Sequence, residues 1–346
     1  MQLPGGSSTL SAVFARPDGL SDAAVVGALR ENWVLDVATV DYLPVGFGSH
    51  HWSATDVNAE RWFVTVHDLA AKRHSLTESI AAVFNRLRAS LATARTLCDS
   101  GATFVLAPVP AAGGEVVIPL APAFAIHVYP HIDGRVTVGD YRSTAERLTV
   151  LDLVAALHTS PSSTRHHAMV DDFELPRLPE LRAALQLVDQ PWDTGPYAES
   201  SRALLRQNAC GLERLLDHYA HLVAPIRALA DRFVLTHGEP HSENVLVTSS
   251  GPMLIDWDTA LISPPERDLW MIDSDDGSVR ERYAEITGTP VLQQALELYR
   301  LRWDLAEIAL YIAEFREPHD DDANARESWK NLSHFLDAAE RWSAFA

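Results

Sequence analysis

Within residues 235–258, LTHGEPHSENVLVTSSGPMLIDWD, an acid (Glu239), an amide five residues on (Asn244) and a second acid (Asp256) follow one another. The stretch reads as a short apolar strand, a polar loop, a strand, a Gly-containing turn and a second strand that ends in acids. Asn244 and Asp256 each lie at the edge of an apolar run, VLV and MLI, so a strand pair would hold both rigidly at one cleft. Hard oxygen ligands of this kind suit Mg²⁺, and an acid beside them suits removal of a hydroxyl proton. Phosphoryl transfer needs little else: a positioned acceptor, a base, and metal to offset phosphate charge.

Two other chemistries fit less well. His237 and His241 flank Glu239, hinting at a metal hydrolase, but H-E-x-x-H sites need both histidines on one helical turn. Gly238 and Pro240 oppose a helix there. Serine hydrolysis would call for a G-x-S-x-G elbow, and the chain has none.

The elements that must position these groups follow from the patterning. Residues 21–33 predict a helix, residues 39–54 a strand, glycine loop and strand, and residues 62–66 a third strand. Ser75 and Glu78 have capping-box spacing, opening a helix whose apolar positions Ile80, Val83, Phe84, Leu87, Leu91 and Ala94 fall three and four apart. The runs FVLAP, EVVIPL and FAIHVYP predict three more strands before residue 130. Beyond residue 134 the chain reads mainly as helix: 143–160, 179–189, a long run over 198–229 interrupted near Pro225, 292–315 and 326–345. The predicted fold is therefore α+β and two-lobed, with residues 1–130 a β-rich lobe carrying one long helix and residues 131–346 a larger, mainly helical lobe.

On these residues the chain resembles the aminoglycoside phosphotransferase family, relatives of the protein kinases and of choline kinase. His237 to Asn244 is similar to that family's H-G-D-x-x-x-x-N loop, with Glu239 for Asp. Leu254-Ile255-Asp256-Trp257-Asp258 resembles its metal segment, and Arg267-Asp268-Leu269 the element that braces the loop. The resemblance implies a kinase-like fold and transfer from ATP (or GTP) with Mg²⁺. Glu239 would be the base, Asn244 and Asp256 the metal ligands, and His241 a neighbour that shapes the loop. Nucleotide would meet the glycine loop Gly46-Phe47-Gly48-Ser49 and the linker residues Tyr129 and Pro130. The family's strand lysine falls at Thr65, in Phe63-Val64-Thr65-Val66, which brings no charge; Lys72 or Arg73 would have to reach the phosphates instead. These two departures, Glu239 and Thr65, leave a second reading: a kinase-like protein that binds nucleotide or a small molecule without transferring phosphate.

For the acceptor, Asp258, Asp273, Asp275, Asp276, Asp304 and Glu307 are candidates for an acidic wall facing a cationic amino sugar, and Trp303 for a stacking surface. Any one of these acids is otherwise an ordinary solvated charge, and Trp303 an ordinary core residue. The family resemblance implies an aminoglycoside- or aminocyclitol-like antibiotic, hence a resistance role, or another cationic or polyhydroxylated small molecule. Composition agrees with a small-molecule enzyme. In 346 residues the net charge is -19, which repels nucleic-acid phosphates. Two cysteines support neither a disulfide framework nor a zinc ribbon. The N-terminal stretch has no basic and apolar signal pattern, and VVIPLAPAFAIHVYP is too short and proline-broken to span a membrane, so a cytoplasmic location is expected.

Overall fold

The computed structural model describes residues 16–337 except Asp18, Phe47 and Asp275; the N-terminal stretch, residues 338–345 of the last predicted helix, Phe47 of the glycine loop and Asp275 lie outside the described residues. Helix α1 (Asp22–Trp33) starts where Ser21 caps it, the hydroxyl accepting from Ala24 N–H. Strands β1 (Val37–Leu43), β2 (His50–Asp56) and β3 (Arg61–Asp68) form an antiparallel meander. After helix α2 (Ile80–Asp99), strands β4 (Ile118–Ala121) and β5 (Phe124–Pro130) complete a five-stranded sheet of order β1-β2-β3-β5-β4. The run FVLAP contributes an isolated bridge, Val105 to Leu254, rather than a strand. The cap of α2 is Ser79, not Ser75: Ser79 Oγ accepts from Ala82 N–H, while Glu78 turns back to accept from His74 N–H.

Period-two alternation decides what each face of this sheet does. Trp52, Ala54, Val64, Val66, Ile126 and Val128 bury against α1. The intervening positions Ser49, His51, Phe63, Thr65, His127 and Tyr129 turn to the opposite side and line a cleft. Each fully buried aliphatic or aromatic side chain on the α1 side contributes about 1.5–3 kcal/mol, so this face fixes the register that carries the other.

The rest is mostly helical. Helix α3 (Thr144–His158) is followed by strand β6 (Met169–Val170), helix α4 (Leu178–Gln186) and the long helix α5 (Ala198–Arg227). Pro225 does not interrupt α5; it lies inside the helix near its end, where few backbone bonds remain to lose. Strand β7 (Val234–Thr236) leads into the polar loop, and β8 (Val245–Thr248) and β9 (Gly251–Leu254) form the expected hairpin. Strand β10 (Leu261–Ser263) pairs with β6 and β7. Helices α6 (Glu266–Ile272), α7 (Ser278–Thr287), α8 (Gln293–Phe315) and α9 (Ala323–Asp337) follow. One apolar cluster joins α4, α5, α8 and α9, and a second packs α3 against the hairpin through Leu254 and the fully buried Trp257. No helix among the described residues is long and apolar enough to cross a membrane.

Candidate active site

A cavity of about 850 Å³ separates the sheet's second face from the polar loop and hairpin. The loop hangs from one buried carboxylate. Asp268, at the start of α6 and fully buried, accepts from His237 N–H at 2.9 Å, Gly238 N–H at 2.6 Å and His158 Nε2 at 3.0 Å. Burial pushes its pKa up, but the His158 bond and the nearby His158 and Arg267 side chains outweigh this and hold it below the ordinary value. His237 accepts from Glu239 N–H through Nδ1, so its proton sits on Nε2 and is donated to Ile255 O at 2.9 Å, tying the loop to the end of β9. Arg267 donates to Thr236 Oγ1 and Thr259 O. Gly238 has φ +105°, and a Cβ there would lie 2.5–2.7 Å from the Arg267 guanidinium. Only glycine lets the two approach this closely.

The same loop presents Glu239, His241 and Asn244 to the cavity, and Asp256 meets them from the hairpin's far end. Asn244 Nδ2 donates to Glu239 O at 3.0 Å and to His241 Nε2 at 3.2 Å. A carbonyl can only accept, so this fixes the amide orientation and leaves Oδ1, a hard oxygen, to the cavity. His241 is therefore neutral at Nε2; burial, then His237, pushes its pKa down to about 4, and its 3.9 Å contact with Glu239 is no ion pair at neutral pH. Asp256 takes a left-handed backbone, φ +64°, a conformation that costs energy for a non-glycine residue and is retained here at the cavity wall. Its side chain opens onto the cavity, yet protein surrounds it. That burial, and repulsion from Asp258 and Glu239 against the pull of Lys72, drive its pKa well up. A neutral amide oxygen and a carboxylate crowded by other acids, lining one cavity, fit a hard dication. Among the described residues no trio of His, Cys, Asp or Glu is arranged to hold a metal. Mg²⁺ does not ask for one, since it takes one or two protein ligands and fills the rest with water and phosphate oxygens.

Contacts that sequence reasoning missed staple this loop from a distance. Tyr141 donates to Pro240 O, Ser242 donates to Gly139 O, and Gly139 N–H donates to Glu243 Oε1 at 3.1 Å. No local pattern links residues a hundred positions apart.

On the opposite wall, Gly46 (φ +78°) and Ser49 line the cavity, whereas Gly48 (φ +71°) does not. Tyr129 and Pro130 line it from the end of β5. Thr65 faces the cavity at the position expected for a lysine and bonds His51 at 3.2 Å. Around it lie buried histidines: His67 bonds Ser49 Oγ and His127, both at 2.9 Å. Burial pushes His127 down to about 3 and His51 to about 4, so this face is uncharged at neutral pH. The cation arrives from the turn after β3. Lys72 Nζ lies 2.7 Å from Asp258 Oδ2, and although burial works against its charge, Asp258, Asp256 and Glu239 raise its pKa. Arg73 also lines the cavity; its Nε is buried without an acceptor, and among the described residues no carboxylate pairs with it.

The acidic wall does not assemble. Of its described members only Asp258 lines the cavity, and it is bound to Lys72. Asp273 is buried outside it, 2.8 Å from Arg300 and 3.5 Å from Arg280. Asp304 is not among the lining residues, and Asp276 accepts from Ser274 and Ser278. Glu307 is fully buried beside Tyr311, where burial pushes its pKa far up. Trp303 does line the cavity, tilted against Trp270 at 5.7 Å between rings, with Arg302 nearby on the same helix.

Comparison with known proteins agrees with this geometry. The model of the phosphotransferase enzyme family matches residues 39–311. Protein StrN of Streptomyces griseus is 31% identical over 247 residues, 69% of this chain and 74% of that protein. A crystal structure of spectinomycin phosphotransferase in complex with ADP and spectinomycin superposes with a TM-score of 0.69 at 18% identity, covering 93% of this chain and 98% of that one. A microcompartment-associated aminopropanol kinase superposes with a TM-score of 0.57 at 17% identity, over 93% and 98% of the two chains. At such identities the likeness is one of fold.

Proposed function

Because this chain belongs to the phosphotransferase enzyme family and is a small-molecule phosphotransferase, we propose that it transfers the γ-phosphoryl group of ATP (or GTP) to a hydroxyl of a small molecule, with Mg²⁺. The observation that carries this reading is the convergence of Glu239, the oriented Asn244 amide and Asp256 on one cavity. Asn244 Oδ1 and Asp256 would hold the metal, which when bound offsets phosphate charge. Glu239 takes the acceptor's proton as the acceptor oxygen bonds to the γ-phosphorus and the bond to the β-phosphate oxygen breaks, ADP leaving with that electron pair. His241, neutral and bonded to Asn244, orients the amide rather than acting as the base. Gly46, Ser49, Thr65, Tyr129 and Pro130 form the nucleotide's wall in this reading, with Gly48 shaping the loop, so residues 1–130 would serve as the nucleotide lobe and residues 131–346 as the catalytic and acceptor lobe. ATP supply agrees with a cytoplasmic location.

For the acceptor, the likeness to a spectinomycin phosphotransferase supports an aminocyclitol- or amino sugar-like molecule. The wall of Trp303, Trp270, Arg73 and Arg302 favours a neutral, hydroxyl-rich face of it over a polycationic one. A resistance role stands or falls with that acceptor. The rival reading, binding without transfer, leans on Glu239 in place of a shorter acid. A coupled ADP-release assay across aminocyclitols, amino sugars, amino alcohols and neutral polyols decides between them. Turnover with at least one acceptor, lost in Asp256→Ala and lowered about 10²–10⁴-fold in Glu239→Gln, is the expected result. ATP binding without turnover on any acceptor would favour the rival, and full activity in Asp256→Ala would refute the metal assignment.

A further inference from the structure

Thr65 leaves the middle of the sheet's cavity face without charge, and the histidines around it are neutral. A cation is nonetheless delivered there by a built turn. Asp68 Oδ1 accepts from Ala70 N–H at 2.8 Å and Ala71 N–H at 3.1 Å, and Lys72 N–H donates to Asp68 O at 3.2 Å. From α2, Arg86, itself paired with Glu78, donates to Lys72 O at 2.8 Å. The lysine is thus held at its nitrogen, its carbonyl and its side chain, which is 13% exposed and ends on Asp258 two residues beyond Asp256. Lining the same cavity as Asn244 and Asp256, it faces the space between the sheet and the hairpin.

We propose that Lys72, delivered by the turn after β3 rather than by the strand itself, is the cation that holds the phosphates of the nucleotide. This deepens the phosphotransferase reading and rests on it. An ammonium has three N–H donors. One is committed to Asp258, and two remain for phosphate oxygens, which places the phosphate chain against the hairpin acids rather than against β3. Arg73, the other candidate, is tied to the turn through its N–H, but its Nε has no partner, and among the described residues no ion pair ties it to Asp258.

Calorimetric titration in the presence of Mg²⁺, with ATP and separately with adenosine, tests the assignment. Lys72→Met should weaken ATP binding about tenfold or more and leave adenosine within about twofold. Adenosine binding then reports an intact fold. Lys72→Arg should keep part of the ATP affinity. Because Lys72→Met strands a half-buried carboxylate, the double variant Lys72→Met/Asp258→Asn is the second probe, with the same pattern expected. ATP affinity within about twofold of wild type in both variants, where wild type binds ATP well, overturns the Lys72 assignment and leaves the phosphotransferase reading standing. Failure of the wild-type protein to bind either ATP or GTP overturns both.

Discussion

The two walls of the cavity are built on different principles. The loop and hairpin wall is local in sequence: Glu239, Asn244 and Asp256 lie within one short stretch, and their brace Asp268 follows soon after. The sheet wall is assembled from β2, β3 and β5 and from a turn, and its groups bond partners far along the chain, as His67 does with His127 and Lys72 with Asp258. One wall brings two acids and an amide, Glu239, Asp256 and Asn244, to the cavity from one segment. The other carries Thr65 at the middle of its strand face, and its cation, Lys72, comes from the turn after β3. Groups set by fixed spacing sit in one segment, whereas a point charge can reach the cavity from any segment whose side chain extends to it.

Perturbing each wall should expose this difference. The largest effect is expected at the brace. Asp268→Ala removes three hydrogen bonds to one buried carboxylate and should cost about 3–5 kcal/mol in denaturant unfolding; a loss under about 1 kcal/mol would contradict the idea that the loop hangs from it. Next comes Gly238→Ala, which forces a Cβ into the Arg267 guanidinium at positive φ. It should destabilise by about 1–3 kcal/mol and cut turnover by about tenfold or more, and a variant with wild-type kinetics would show that Arg267 can retreat freely.

The sheet wall predicts a pH dependence. His127 ordinarily titrates near 6.5 but is pushed down to about 3, chiefly by burial. The unfolded chain therefore takes up this proton before the folded one does. The stability at stake is intact above the ordinary value and is lost as pH falls through it toward the folded value, by about 1.4 kcal/mol per pH unit. His127→Gln should unfold with a shallower acid dependence between about pH 6 and 4; an unchanged slope would mean that the buried histidine is not the source. The smallest effect is expected at Thr65, whose side chain bonds only His51 among the described residues. Thr65→Ala should cost about 1 kcal/mol or less and leave ATP affinity within about twofold. A larger loss of affinity would return the phosphate-holding role to β3.

What the sequence revealed divides along the same line. Hairpin, loop and most helices were legible because periodicity and turn residues act locally, as at VLV and MLI around the glycine turn. The capping residue of α2 was misplaced because Ser75 and Glu78 have capping spacing, yet Glu78 is drawn to His74 N–H and Arg86. Helices α6 and α7 are short and lack an apolar repeat long enough to read. At the site, Glu239, His241, Asn244 and Asp256 converge as their spacing suggested, and Lys72 reaches the cavity. The acidic wall failed because burial and pairing are properties of the tertiary structure: Asp273 is neutralised by Arg300 and Arg280, and Glu307 is swallowed by the core. Likewise, nothing near Tyr141 in sequence announces that its hydroxyl reaches Pro240.

The most direct test of the central claim is calorimetric titration of ATP and GTP into the protein with and without Mg²⁺. The account predicts nucleotide binding that strengthens with metal and loses that dependence in Asp256→Ala. No binding of either nucleotide at about millimolar concentration, weaker than about 4 kcal/mol of binding free energy, would contradict it.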